Sequence, residues 1–236
     1  MNDKCITVFP YDPFPINNGI TFINFQNKYE YSQLLFNLNL LKNHETFSDD
    51  VDQFIHFYLN DSDKLKDSLK ELAIIGDITS FDINSTANIK SVFKTIVNDS
   101  YTINREKIES INEQINGLFF DMISIYDESF DFDLTEELIK LLKYKSIRVD
   151  TSIWNNYYDK IHSVITFYSD FSEKKTLLFH GLEHFINIEQ LNELNNYLKS
   201  IGLNVISLES YPMTKKESTL EIKIYSIDDD HIRFDY

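Results

Sequence analysis

Three side chains near residue 180 have the spacing of a metal-binding signature. His180, Glu183 and His184 lie in the stretch TLLFHGLEHF (residues 176–185) and match H-x-x-E-H, the inverted zinc-peptidase motif. In that motif both histidines lie on one helix, four residues apart, so that their rings reach the same zinc ion. One function that the sequence offers is therefore a metal-dependent hydrolase.

The residues around the motif argue against a helix at this place. KKTLLF has the pattern of a strand that runs directly into His180, and Asn187 with Gln190 predicts a capping box that begins the next helix later. Gly181 would cost a helix about 1 kcal/mol. The downstream candidates for a third zinc ligand are Glu209, Glu217 and Glu221, none within a helical pattern. We therefore expect His180–His184 in a strand-to-helix turn, and the motif to be accidental.

A second candidate site is the acidic stretch YDESFDFDLTEE. Its acidic residues are Asp127, Glu128, Asp131, Asp133, Glu136 and Glu137, with no basic residue among them. Calcium takes six to eight oxygen ligands in irregular geometry, so it suits such a segment, and Asp127, Glu128, Asp131 and Asp133 are the candidate ligands. The stretch is not an EF-hand, because Phe132 stands where the loop needs glycine. The alternative is a solvated turn whose acids favour the start of a helix near Thr135.

Basic residues follow directly. The candidates for contacts with phosphates are Lys140, Lys143, Lys145, Arg148, Lys174 and Lys175. The alternative for each is an ordinary solubilising side chain. The whole chain has 38 acidic against 22 basic residues, a net charge of −16, which argues against indiscriminate adhesion to nucleic acid or anionic membrane.

Composition indicates a folded protein. Hydrophobic residues make up 42% of the 236 positions, enough for a core, and Cys5 is the only cysteine, which excludes an intrachain disulfide or a multi-thiolate zinc site. The sequence has no signal peptide and no apolar run of membrane-spanning length, so we expect a cytoplasmic protein without a membrane partner. The five glycines are too scattered for G-x-x-x-x-G-K-[ST], G-x-G-x-x-G or G-x-S-x-G. An NTPase, a Rossmann dehydrogenase and a serine hydrolase are therefore unsupported.

Hydrophobic periodicity predicts an α/β fold with a mostly parallel sheet, because strands alternate with helices. CITVF and ITFINF are expected as strands joined by a turn, LAIIGD, KKTLLF and LNVISLES as further strands, and TLEIKIYSI with HIRFDY as a closing pair. Helices are expected over 28–43, 151–169 and 188–202, and residues 54–59 fit either strand or helix. Between 89 and 148 helical periodicity dominates, with an apolar stripe of Ile103, Ile108, Ile111, Ile115, Leu118 and Phe119. The expected domains are a discontinuous α/β head, 1–85 and 149–236, and a helical arm, 86–148.

Three stretches together resemble a known family. They are ELAIIGDITSFDINST (71–86), SFDFDLTEELIKLLKYKSIRVDT (129–151) and KKTLLFHGLEHFINIEQLNELNNYLKSIGLNVISLES (174–210). In order and spacing they are similar to the accessory adaptation proteins of type II-A CRISPR systems. The resemblance implies a head related to P-loop ATPases that has lost the phosphate loop, and an inserted helical arm. It also implies a homotetrameric ring that threads onto linear duplex DNA ends without cutting them.

Calcium held by acidic residues stabilises the arms in that family, and Asp127 to Asp133 fall where it places the calcium ligands. The implied partners are the CRISPR integrase complex and the RNA-guided nuclease. The leading hypothesis is thus a calcium-assisted, non-enzymatic binder of DNA ends, independent of base sequence. The alternative from another class is the metal-dependent hydrolase of His180, Glu183 and His184. A third possibility is a structural protein of mobile-element origin that binds no DNA.

Overall fold

The computed structural model of the protein describes residues 4–16, 18–43, 55–59, 72–132, 138–210 and 222–236. The described residues fall into two compact units. The first unit takes the residues up to Phe81 together with Thr151–Tyr236, and the second takes Asp82–Asp150. The polar stretch 60–71, expected as surface helix or loop, lies outside the described residues.

The described chain contains nine strands and six α-helices. The strands are β1 (Lys4–Val8), β2 (Phe14–Ile16), β3 (Gly19–Phe25), β4 (Ile55–Leu59), β5 (Leu72–Gly76), β6 (Thr176–His180), β7 (Asn204–Glu209), β8 (Lys223–Ile227) and β9 (Arg233–Asp235). The α-helices are α1 (Lys28–Asn43), α2 (Thr86–Ile103), α3 (Arg105–Ile123), α4 (Leu138–Tyr144), α5 (Tyr157–Phe171) and α6 (Ile188–Ile201). None of these helices is both long and apolar enough to cross a membrane.

Six of the strands form the main sheet of the first unit, in the order β5-β6-β7-β3-β8-β9. The first five of them are parallel to their neighbours, and β9 pairs antiparallel with β8. The mostly parallel sheet and the closing strand pair predicted from the sequence are therefore confirmed. On one face, Ile23 and Phe25 of β3 belong to a buried cluster with Leu34 and Leu38 of α1. On the opposite face, α6 contacts β3 and β7 and buries Leu194.

A smaller antiparallel sheet in the order β2-β1-β4 corrects the expected start of the chain. CITVF and ITFINF were expected as strands joined by a turn, but that turn contains β2, and β1 and β3 lie in different sheets. Strand β2 buries Phe14 and Ile16 and exposes Pro15. A proline has no N–H to donate, so within sheets it is tolerated mainly in edge strands. Because proline is also common in turns, the sequence of this edge strand resembles that of a turn. Residues 55–59, ambiguous in the sequence, form a strand.

Helix starts follow the capping residues. Asn187 and Gln190 form the predicted capping box, with the Gln190 N–H 2.9 Å from Asn187 Oδ1 and the Asn187 N–H 3.0 Å from Gln190 Oε1. The helix predicted over 151–169 begins later than expected, at Tyr157. Asn156 caps it by accepting the Asp159 N–H at 3.0 Å, and Ile153, expected on its apolar face, is 67% exposed outside the helix.

The second unit is helical. Its two ends are joined by Asn84, whose Nδ2 donates to the Val149 carbonyl at 3.0 Å and whose Oδ1 accepts the Val149 N–H at 2.9 Å. No residue of α3 is buried. The predicted apolar stripe lies largely on the surface of the single chain, with Leu118 57% and Ile111 51% exposed.

Candidate functional site

Polar side chains meet at the carboxyl edge of the main sheet. His180 and Glu209 are the last residues of β6 and β7, and Asp77 directly follows β5. Neighbouring parallel strands end at the same edge, which is where α/β proteins place their ligands. Tyr31 and Lys42 of α1 reach this edge, because the Tyr31 hydroxyl donates to the Leu208 carbonyl at 3.2 Å and Lys42 Nζ to the Ile75 carbonyl at 3.0 Å. The carboxyl-edge cluster is the set Tyr31, Lys42, Asp77, His180 and Glu209.

The H-x-x-E-H motif is divided between two elements. His180 ends β6, Gly181 follows in the left-handed conformation at φ 68°, and Leu182–Phe185 form a 3₁₀ turn. The expected strand-to-helix turn is therefore confirmed. Among the residues that the structure describes, no group of three or more His, Cys, Asp or Glu is placed to hold a metal ion. The described residues thus do not bring His180, Glu183 and His184 together as a zinc site.

Burial and neighbouring charges set the protonation of His180. Burial lowers the pKa of its imidazole, the Lys42 ammonium acts in the same direction, and the Asp77 carboxylate opposes both. Burial would raise the pKa of Asp77, but hydrogen bonds from the hydroxyl and N–H of Thr79, at 2.6 and 2.7 Å, hold it below its usual value. The lowered pKa favours the neutral imidazole at neutral pH, with one carboxylate and one amine among the charges that influence it.

Glu209 is fully buried, and burial raises the pKa of its carboxyl to about 7. The nearby Glu183 carboxylate raises this pKa further, whereas hydrogen bonds from the Ser207 hydroxyl at 2.6 Å and the Glu183 N–H at 3.2 Å oppose the rise. Both donors point at Oε1. Glu209 therefore links the end of β7 to the 3₁₀ turn through one carboxylate oxygen and titrates near neutral pH.

Several residues of this edge were missed in the sequence. Asn24, Lys42 and Ser207 were not singled out, and Glu209 was named only as a third zinc ligand. The signal that identifies Asn24 and Glu209 is a polar residue near the end of an apolar strand, as in ITFINF and VISLES. Glu217 and Glu221 lie outside the described residues.

The acidic segment lies in the second unit, directly after α3. Asp127, Glu128 and Asp131 are exposed, and Asp133 lies outside the described residues. Edge-to-face contacts hold the segment locally: Tyr126 and Phe130 have ring centroids 5.9 Å apart, and Phe119 and Phe132 6.1 Å apart. Three of the four candidate calcium ligands are thus on the surface of the helical unit.

The predicted basic residues are divided between the units. Lys140, Lys143, Lys145 and Arg148 are exposed on or directly after α4 in the second unit. In the first unit, Lys174 Nζ donates to the Leu72 carbonyl at 3.2 Å, and Lys175 Nζ donates to the Ser169 and Ser172 carbonyls at 3.3 and 3.4 Å. The amines of Lys174 and Lys175 thus bind backbone carbonyls. The four basic residues on or after α4 are exposed.

The fold and this edge define a class of mixed α/β protein with a mostly parallel sheet and a helical unit. A family model described as CRISPR-associated protein (Cas_Csn2) matches residues 47–231. The crystal structure of Stu0660 of Streptococcus thermophilus shares the fold, with a TM-score of 0.58 and 14% identity, covering 99% of this chain and 76% of that one.

Two curated relatives are each described as CRISPR-associated protein Csn2. The Enterococcus faecalis protein is 22% identical over 142 residues, covering 59% of this chain and 64% of the relative. The Streptococcus agalactiae protein is 20% identical over 163 residues, covering 68% and 72%. The chain belongs to the Csn2 family, the accessory proteins of type II-A CRISPR systems. The resemblance stated from the sequence is therefore confirmed.

Proposed function

We propose that the protein serves CRISPR adaptation by binding the ends of linear duplex DNA as a homotetrameric ring, without cutting them. The observation that carries the proposal is the family match over residues 47–231. The ring acts in the cytoplasm, beside the CRISPR integrase complex and the RNA-guided nuclease. Its contacts are with the DNA backbone, so binding is independent of base sequence and falls steeply with salt.

The connection between β3 and α1 supports a head derived from P-loop ATPases without their phosphate loop. Only Gln26 and Asn27 separate the two elements, and neither is glycine. The Asn27 side chain accepts the N–H groups of Tyr29 and Glu30 at 3.0 and 3.2 Å. In a phosphate-binding helix these first N–H groups would face the anion. A non-enzymatic role accords with this capped helix start.

The surface of α3 supports self-association. Its exposed apolar side chains include Phe120, 63% exposed, and Met122, 55% exposed, beside Leu118 and Phe119. Exposed apolar surface of this extent commonly marks a contact with another protein, and here we assign it to a second copy of the chain. The charge of −16 opposes assembly. Calcium held by Asp127, Glu128, Asp131 and Asp133 would lower that repulsion.

A gel-shift comparison of linear and covalently closed circular duplex tests the proposal. We expect binding to the linear form alone, lost in chelator. Lys143→Gln with Lys145→Gln should weaken binding and reduce the slope of log affinity against log salt by about one per lost phosphate contact. Lys28→Gln with Lys94→Gln, also exposed, removes the same charge and should leave the slope unchanged.

Three outcomes would contradict parts of the proposal. Equal binding to both DNA forms would replace the ring with a surface groove. Binding that survives chelator would remove the role of calcium. Absence of binding under all conditions would leave a structural protein without a DNA ligand.

A further inference from the structure

Three buried polar side chains form a row across the main sheet near its carboxyl edge. Asn24 of β3 is the register partner of Glu209 in β7 on one side and of Ser226 in β8 on the other. Partners in a parallel ladder project from the same face. Asn24 and Glu209 are 0% exposed and Ser226 is 7% exposed. We call Glu209, Asn24 and Ser226 the buried polar row.

The row contains buried polar atoms that are unsatisfied within the described part of the chain. Among the described residues, neither amide atom of Asn24, Nδ2 or Oδ1, nor the Oε2 oxygen of Glu209 has a hydrogen-bond partner. Folded proteins satisfy nearly all such groups, because each orphan keeps its full desolvation penalty. Three unsatisfied atoms on two fully buried register partners therefore indicate that a ligand from outside the chain completes their hydrogen bonds or coordination.

The charges around the row favour a cation. Glu209 Oε1 is satisfied by Ser207 and by the Glu183 N–H, so its free oxygen is the one that lies toward a ligand. The Glu183 carboxylate is close enough to disfavour the ionised form of Glu209. Glu209 is fully buried and Glu183 is half-buried, and two carboxylates so placed repel each other unless a positive charge or a proton lies between them.

We propose that the buried polar row binds one hard divalent cation through Glu209 Oε2, Asn24 Oδ1 and the Ser226 hydroxyl. Carboxylate, amide and hydroxyl oxygens are the ligands that Ca²⁺ and Mg²⁺ take, with backbone carbonyls and waters completing the shell. The Glu183 carboxylate supplies neighbouring negative charge. This donor set of one carboxylate, one amide and one hydroxyl differs from the H-x-x-E-H zinc motif, since neither His180 nor His184 takes part.

This cation site is separate from the acidic segment after α3 and does not depend on DNA binding or ring formation. An ion at the row would tie together the carboxyl ends of β7, β3 and β8. Its occupation should therefore stabilise the first unit in the absence of DNA, since a ligand that binds only the folded state shifts the unfolding equilibrium.

The test is calorimetric titration of the full chain, stripped with chelator, with CaCl₂ or MgCl₂ alone, followed by thermal unfolding. Glu209→Gln keeps an acceptor for Ser207 and the Glu183 N–H but removes the charge, and should weaken one site at least tenfold. Glu189→Gln makes the same charge change at an exposed position of α6 and should bind like the wild type. Neutralising Asp127, Asp131 and Asp133 to Asn should leave this site intact.

A second variant keeps the test decisive if Glu209→Gln fails to fold. Asn24→Asp is nearly isosteric and adds a carboxylate, so it should bind the cation more tightly and gain more thermal stability from it. Wild-type affinity in Glu209→Gln, or no binding of either cation at millimolar concentration, would overturn the proposal. A high-resolution crystal structure grown in calcium that shows only waters between Asn24 and Glu209 would overturn it as well.

Discussion

At the scale of single residues, the side chain of Asn195 determines which residue type can occupy position 19. Asn195 is buried in α6. Its amide oxygen accepts the Ile20 N–H at 3.0 Å and so fixes the start of β3 against the helix. Gly19 has φ 100°, and a β-carbon there would overlap that amide oxygen. Both the backbone angle and the space therefore require glycine at this position.

Gly19→Ala should lower the free energy of unfolding by about 2–3 kcal/mol, because it adds left-handed strain to a clash with a buried group. Gly117→Ala is the matched control. Gly117 lies within α3 with no atom near its β-position, so alanine there should raise stability by about 0.5–1 kcal/mol. Urea unfolding of both variants measures the difference. Equal effects of the two substitutions would contradict the role given to Asn195.

At the scale of elements, the β8–β9 hairpin connects the two sheets of the first unit. Arg233 Nη1 donates to the Asp12 and Pro13 carbonyls, both at 2.9 Å, beside the smaller sheet. Its guanidinium lies 4.5 Å from the ring centroids of Phe14 and Tyr225. A planar, forked cation suits this position, since it stacks on rings and donates at the same time.

Arg233→Lys should therefore destabilise the protein although it keeps the charge. We expect a loss of about 1–2 kcal/mol, from one or two hydrogen bonds and the ring stacking. Hydrogen exchange should show faster opening of residues 222–236. Arg148→Lys, at an exposed position of the helical unit, is the control and should change neither quantity. Unaltered exchange in the Arg233 variant would mean that the hairpin is held by other contacts.

Local sequence patterns predict where helices and strands form better than they predict which strands pair with each other. The capping box of Asn187 and Gln190 could be predicted because both partners lie within one turn of the chain. Strand β2 was missed because Pro15 makes an edge strand resemble a turn. The buried polar row depends on β3 lying between β7 and β8, and the partners of Asn24 in these strands are 185 and 202 residues away along the chain. No local pattern encodes that pairing, so Asn24 and Ser226 could not be linked from the sequence.

At the scale of the whole molecule, substitutions on the exposed surface of α3 should affect self-association without affecting the stability of the single chain. Because no residue of α3 is buried within the described chain, Leu118→Asn with Phe120→Asn should change the unfolding free energy by no more than about 0.5 kcal/mol per substitution. Self-association should weaken at least tenfold, measured by sedimentation or light scattering. Glu113→Asn, also exposed on α3, is the control. An unchanged mass distribution would exclude this face from the proposed tetramer contact.

The hydrogen bonds between Asn84 and Val149 join two positions that are 65 residues apart, using one side-chain amide in place of a strand pair. The chain therefore enters and leaves the helical unit at neighbouring positions, so the segment between them forms a closed insertion. Lengthening a closed segment is inexpensive, since doubling a loop costs only about 0.6 kcal/mol in closure entropy. Related proteins can thus vary the reach of this unit by insertion or deletion between residues 84 and 149 while the junction stays the same.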